Sequence, residues 1–173
     1  LGDVYKRQEK PTAPIVREVE IPENIITELN SHIDDVIIPS KNSYGSGLVG
    51  QLKENEKSAQ WEFPMDDEVG STLKQILDQI GTTYLRKGYI RDAKAEVFNC
   101  WTNHAYAGDY NPYHDHGGVY SFVIWLRIPY EHEEQNNLPF LQGVKEQDRK
   151  AGMFEFQYYD IFGRATNHGY KLG

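Results

Sequence analysis

His114-Asp115-His116 sets two imidazoles one residue apart in the chain. Alternate side chains of an extended segment share a face, so His114 and His116 are expected to project together, with Asp115 turned the other way. Two imidazoles aimed into one concave site form a metal-ligand pair. Neutral imidazole accepts iron, zinc, copper or nickel, so the spacing does not select the metal. A bare His-x-His also suits a polar turn with two solvated rings. Asp109 and Asp115 flank the pair; they either orient the rings through hydrogen bonds to ring N–H groups or cap turns.

The motif lies in Gly108-Asp109-Tyr110-Asn111-Pro112-Tyr113-His114-Asp115-His116-Gly117-Gly118 and needs elements to hold it. After it, Val119 to Ile128 predicts a strand, with Ser121, Val123 and Trp125 on one face and Tyr120, Phe122, Ile124 and Leu126 on the other. Before it, Ala93, Ala95, Val97, Asn99 and Trp101 alternate with Lys94, Glu96, Phe98 and Cys100, which predicts a strand over Ala93 to Trp101. Met153 to Tyr159 predicts another.

Upstream, Ile15 to Ile21 alternates as a first strand. Pro22 opens a helix to about Asp34, with Ile25, Ile26, Leu29 and Ile33 on one face. Ile37 to Tyr44 is turn-like, and Leu48 to Leu52 fits a short strand. Met65-Asp66-Asp67-Glu68 loads carboxylates at the start of a long helix, where they suit its dipole. Val69, Leu73, Ile76, Leu77, Ile80 and Tyr84 form its apolar stripe, expected to pack onto a sheet, and Lys87-Gly88 is its end. Tyr130 to Lys150 is polar and acid-rich and reads as a long loop.

Composition narrows the classes. A chain of 173 residues suffices for one domain with a sizeable core. The net charge of −8 argues against broad nucleic-acid binding, which needs clustered cations. No run approaches the length of a membrane span. With one cysteine, Cys100, the chain has no intrachain disulfide, and a reducing, cytoplasmic setting is expected. Cys100 adjoins Trp101 and reads as a buried, inert thiol. His32 reads as structural, His104 precedes a turn, and Glu131-His132-Glu133-Glu134 is a solvated charge run.

The stretch from Trp101 through Asn103, Gly108, Tyr110, Pro112, His114, His116, Ser121, Phe122 and Trp125 to Pro129 resembles 2-oxoglutarate/Fe(II)-dependent oxygenases found in marine phages. Its order is a Trp-x-Asn strand, a Tyr-x-Pro-x-His-x-His segment, then Ser-Phe-Val-x-Trp-x-x-x-Pro. Met153 to Tyr158, Leu48 to Leu52 and Glu56-Lys57-Ser58 belong to the same pattern, so the resemblance runs from about Val16 onward. It implies an α+β, mostly β fold: a double-stranded β-helix (jelly-roll) core with one or two supporting N-terminal helices. It also implies Fe(II) held by His114 and His116, with 2-oxoglutarate and O₂ as cosubstrates and an unspecified substrate hydroxylated.

Asn103, Tyr106, Ser121 and Trp125 would then face the cosubstrate, and the loop after Tyr130 would form part of a lid. The wider superfamily has His-x-Asp where this chain has His-x-His. Its distal His and carboxylate-clamping Arg are expected beyond Gly173, with His168 the lesser candidate for third ligand and more readily a turn residue. Leu1 to Gln8 resembles translated linker sequence, a non-native leader, which leaves 9–173 as a single oxygenase-like domain stopping before its final strands. Two other readings stay open. One is a non-catalytic jelly-roll binding or structural phage protein; the other is a cupin-type oxygenase that does not use 2-oxoglutarate.

Overall fold

A proline at a helix start forfeits only an N–H that has no intrahelical partner, and helix α1 (Glu23–His32) begins directly after Pro22. The computed structural model describes residues 16–45, 59–88, 91–107, 109–159 and 162–172. The helix does not stop near Asp34. It continues through a π-helical segment (Ile33–Ile37) into a last turn, α2 (Ile38–Ser40), so the expected turn from Ile37 is helical as far as Ser40. The apolar spacing explains this, since Leu29, Ile33 and Ile37 follow at intervals of four and are all buried. Lys41, at φ 55°, closes the helix in the left-handed region.

The chain then turns alongside β1 (Ala59–Glu62). Ser43 bridges Trp61, the Tyr44 N–H donates to the Gln60 carbonyl at 2.8 Å, and the Glu62 N–H donates to that of Asn42 at 2.9 Å. On its other side β1 pairs antiparallel with β2 (Trp101–His104), placing Gln60 opposite Asn103 and Glu62 opposite Trp101. The 21-residue helix α3 (Glu68–Gly88) matches its predicted span. Asp67 caps it: Oδ1 accepts the Gly70 N–H at 2.7 Å and the backbone carbonyl accepts the Ser71 N–H at 2.8 Å. Gly70 has to be glycine, because a Cβ there would run into the Pro64 carbonyl oxygen.

Of the predicted α3 stripe only Leu73 is fully buried; Val69, Ile76, Leu77, Ile80 and Tyr84 are half-buried, and Leu85, outside the stripe, is buried. The expected strand from Ala93 begins only at Trp101. The preceding segment lies along α3 instead, because side chains of the helix take its backbone groups. The Ala95 N–H donates to Thr82 Oγ1 at 2.9 Å, the Val97 N–H to Asp78 Oδ1 at 2.6 Å, and Arg86 Nε donates to the Ala93 carbonyl at 3.1 Å. The alternation survives as burial: Ala93, Ala95 and Val97 are half-buried, while Lys94, Glu96 and Phe98 are exposed. These elements belong to one compact unit, residues 21–123.

A second unit takes in residue 124 onward together with the described residues up to 20. Its frame is β3 (Met153–Tyr159) paired antiparallel with β4 (Ala165–Lys171), from Met153 opposite Lys171 to Tyr159 opposite Ala165. β3 matches its prediction. The turn expected at His168 is absent; His168 is a strand residue opposite Phe156. Residues 130–150 are less irregular than expected: helix α4 (His132–Asn136) and two 3₁₀ turns, Pro139–Leu141 and Glu146–Asp148, occupy much of them. Arg149 ties that segment together, donating from Nε to Val144 O and from Nη1 to Asn136 O, each at 3.1 Å.

Among the described residues, 16–21 and 119–128 have no ladder partners, so neither predicted strand joins a sheet there. Alternation specifies which side chains share a face, but a strand also needs a neighbour for its N–H and C=O groups. Ile15, Leu48 to Leu52, Glu56 to Ser58 and the leader Leu1 to Gln8 lie outside the described residues. The fold class is α+β, with small antiparallel sheets and no closed barrel among the described residues. No helix among them is long and apolar enough to cross a membrane.

Candidate metal centre

β2 sets the floor of the site. Trp101 and Asn103, two apart, share one face of the strand. Asn103 Oδ1 accepts from the Nε2 of Gln60, its cross-strand partner, at 2.8 Å; Gln60 is the buried polar residue of this unit. Trp101 makes two near-parallel ring contacts: with Tyr44 at 5.2 Å between centroids and 11° between planes, and with His116 at 5.6 Å and 9°. His114 completes the series, its ring centroid 4.7 Å from that of His116. The two imidazole rings are therefore neighbours, as their spacing predicts.

The enclosure expected around them is not present. Both histidine side chains are exposed, and no barrel mouth surrounds them among the described residues. Among the described residues the segment has no strand partner to fold a second wall over it. His114 Nδ1 lies 2.8 Å from the Pro112 carbonyl oxygen. The tautomer that donates this hydrogen bond leaves Nε2 with a free lone pair, the arrangement that orients metal-binding histidines. Partial burial, and to a smaller degree the neighbouring His114, hold the His116 imidazole below its ordinary pKa, while Asp115 pulls the other way. A neutral ring is the form that ligates. No group of three His, Cys, Asp or Glu side chains suited to a metal occurs among the described residues.

Asp109 adopts the turn-capping role: its Oδ2 accepts the Tyr106 N–H at 2.9 Å, and its own N–H donates to the Tyr106 carbonyl at 2.9 Å. Tyr106 and Ser121 are exposed in the same unit as the histidines. Trp125 belongs to the other unit, where its ring meets Phe154 and Tyr170, each at 5.7 Å. His168, in that same unit, sets its ring against Tyr170 at 5.0 Å. His104 Nε2 is 3.2 Å from Thr102 Oγ1 on the opposite face of β2. His132 begins α4, with Nδ1 3.4 Å from the Gly152 carbonyl oxygen, and Glu131, Glu133 and Glu134 are exposed as a solvated run.

Tyr44, in the stretch expected as a turn, and Gln60 are marked as site residues by no motif in the sequence. Both reach the site across strands, and the one local signal was an aromatic residue next to Ser43. Comparisons with protein-family models, with curated proteins and with solved structures each find no match.

Proposed function

We propose that the chain carries the histidine pair of a non-haem iron oxygenase that consumes 2-oxoglutarate and O₂ to hydroxylate a substrate. The observation that carries this reading is the pairing of His114 and His116 rings at 4.7 Å, with His114 Nδ1 directed to a backbone carbonyl. The residue pattern from Trp101 to Pro129 supplies the resemblance that turns a metal pair into this activity. A jelly-roll core and a cytoplasmic setting belong to the same proposal.

His114 and His116 would hold Fe(II), leaving coordination positions for a 2-oxoacid and O₂. Iron bound there would supply O₂ activation coupled to decarboxylation of 2-oxoglutarate to succinate. The chain's own contribution is orientation. Asn103 has Oδ1 engaged by Gln60, which leaves its Nδ2 to donate to a carboxylate on the Trp101 face. With the His114 proton on Nδ1, donated to the Pro112 carbonyl, Nε2 would carry the lone pair that ligates.

The test is Fe(II)-dependent conversion of 2-oxoglutarate to succinate, measured on the chain together with whatever natural sequence flanks it. Both His114→Ala and His116→Ala should abolish turnover, since each removes a ligand. Turnover near the unsubstituted level in either variant would overturn the reading. Metal binding without any 2-oxoglutarate turnover would favour a non-catalytic binding role.

A further inference from the structure

We propose that Trp101, braced by Tyr44, is a positioning residue for His116, setting the plane of that imidazole for metal capture. The inference rests on the metal reading above and adds to it the group that holds the second ligand. An exposed histidine rotates about two side-chain bonds, and every rotamer that turns its lone pair away weakens ligation. His114 has a hydrogen bond to restrain it, from Nδ1 to the Pro112 carbonyl oxygen at 2.8 Å. For His116 the restraint is the indole face: planes 9° apart and centroids 5.6 Å apart are the geometry of an offset stack.

The indole is itself fixed from two sides. Trp101 is the first residue of β2, opposite Glu62, and the carbonyl of the preceding Cys100 accepts the Phe63 N–H at 3.1 Å. Tyr44, on the chain that flanks β1, stacks on the same indole at 5.2 Å and 11°. Two segments distant in sequence are thus joined through rings to one candidate ligand. Metal binding makes an imidazole electron-poor, and an indole π-face attracts positive charge. The stack therefore strengthens when the site is loaded, which is the direction a positioning residue requires.

The experiment uses Ni(II) as a redox-inert probe on the 173-residue chain, with affinity from calorimetry and folding from circular dichroism. Trp101→Leu should weaken Ni(II) binding by about tenfold or more, the range seen when groups supporting a metal ligand are removed. Trp101→Phe, which keeps a ring, should stay near wild-type affinity, and Tyr44→Leu should fall between. In a Trp61→Phe, Trp125→Phe background, Ni(II) should quench Trp101 emission along the same isotherm that calorimetry reports.

If wild type and His116→Ala bind Ni(II) alike, or neither binds it, the metal reading itself fails. If His116→Ala loses binding while folded Trp101→Leu retains wild-type affinity, the positioning role is overturned and the metal reading stands. Should Trp101→Leu not fold, wild-type affinity in folded Tyr44→Leu, or an absence of quenching, overturns the role equally.

Discussion

Cys100 and Trp101 are adjacent in sequence and do opposite things. The indole stacks on His116, whereas burial pushes the Cys100 thiol up to about 12 from an ordinary 9.0, opposed by a backbone hydrogen bond at Trp101. A thiol protonated across the neutral range is neither nucleophile nor metal ligand. In the folded protein it should resist alkylating reagents at pH 8 and react once denatured; rapid labelling of the native chain would contradict this. The linkage has a definite sign. Between pH 9.0 and about 12 the native thiol keeps a proton that the unfolded chain has lost, so stability falls as pH rises through that window. Cys100→Ala should flatten this part of the pH–stability curve, as urea denaturation at several alkaline pH values would read. In the same unit, His32 sets its ring edge against Phe63 at 5.5 Å, with Nε2 3.0 Å from Asp67 Oδ2 but out of hydrogen-bond alignment. That places it in packing, as its lone position on α1 indicated. Asp67→Ala removes the cap of α3 and should cost about 0.5–2 kcal/mol in thermal or denaturant unfolding.

Helix α3 shows what a periodic sequence discloses and what it conceals. Its start, its end and its apolar side were legible, because carboxylates, heptad-like spacing and a terminal glycine act within the helix itself. Its partner was not. Alternation over Ala93 to Val97 correctly gave the inward residues, yet their amides bond Asp78 and Thr82 of the helix, a choice made by side chains far away in sequence. Gly81 permits this approach, since a Cβ there would come within 2.8 Å of that of Ala95. Gly81→Val should therefore destabilise the unit and raise amide exchange at Ala95 and Val97; unchanged protection would refute the docking. Leu73→Ala, at a site 3% exposed, should cost about 2–5 kcal/mol, and Ile76→Ala, half-buried, clearly less. β4 was illegible for the converse reason. Asn167 and Gly169 are turn formers locally, but a seven-residue strand at β3 supplies a ladder that overrides them. At the site, the histidine spacing could be read directly, while Tyr44 and Gln60 reach it only through strand pairing.

At the scale of the whole chain, a jelly roll closes two packed sheets from about eight strands, and the described residues hold two antiparallel pairs. The oxygenase reading asks Trp125 to wall a cosubstrate pocket; the structure gives it a packing task that is sufficient on its own. Phe154 and Phe156 meet at 5.0 Å, Tyr170 lies 6.0 Å from Phe156, and Trp125 touches both Phe154 and Tyr170, so four rings cover one face of the β3–β4 hairpin. Register explains the cluster, because Phe154 stands opposite Tyr170 and alternate residues share a face. The two roles make separable predictions. Trp125→Ala should destabilise the hairpin by about 1–3 kcal/mol, short of the loss for a fully buried ring because the indole is 37% exposed. Ni(II) affinity at His114 and His116 should meanwhile stay unchanged. A folded Trp125→Ala protein with wild-type stability and weakened 2-oxoglutarate binding would reverse the assignment and return Trp125 to the pocket.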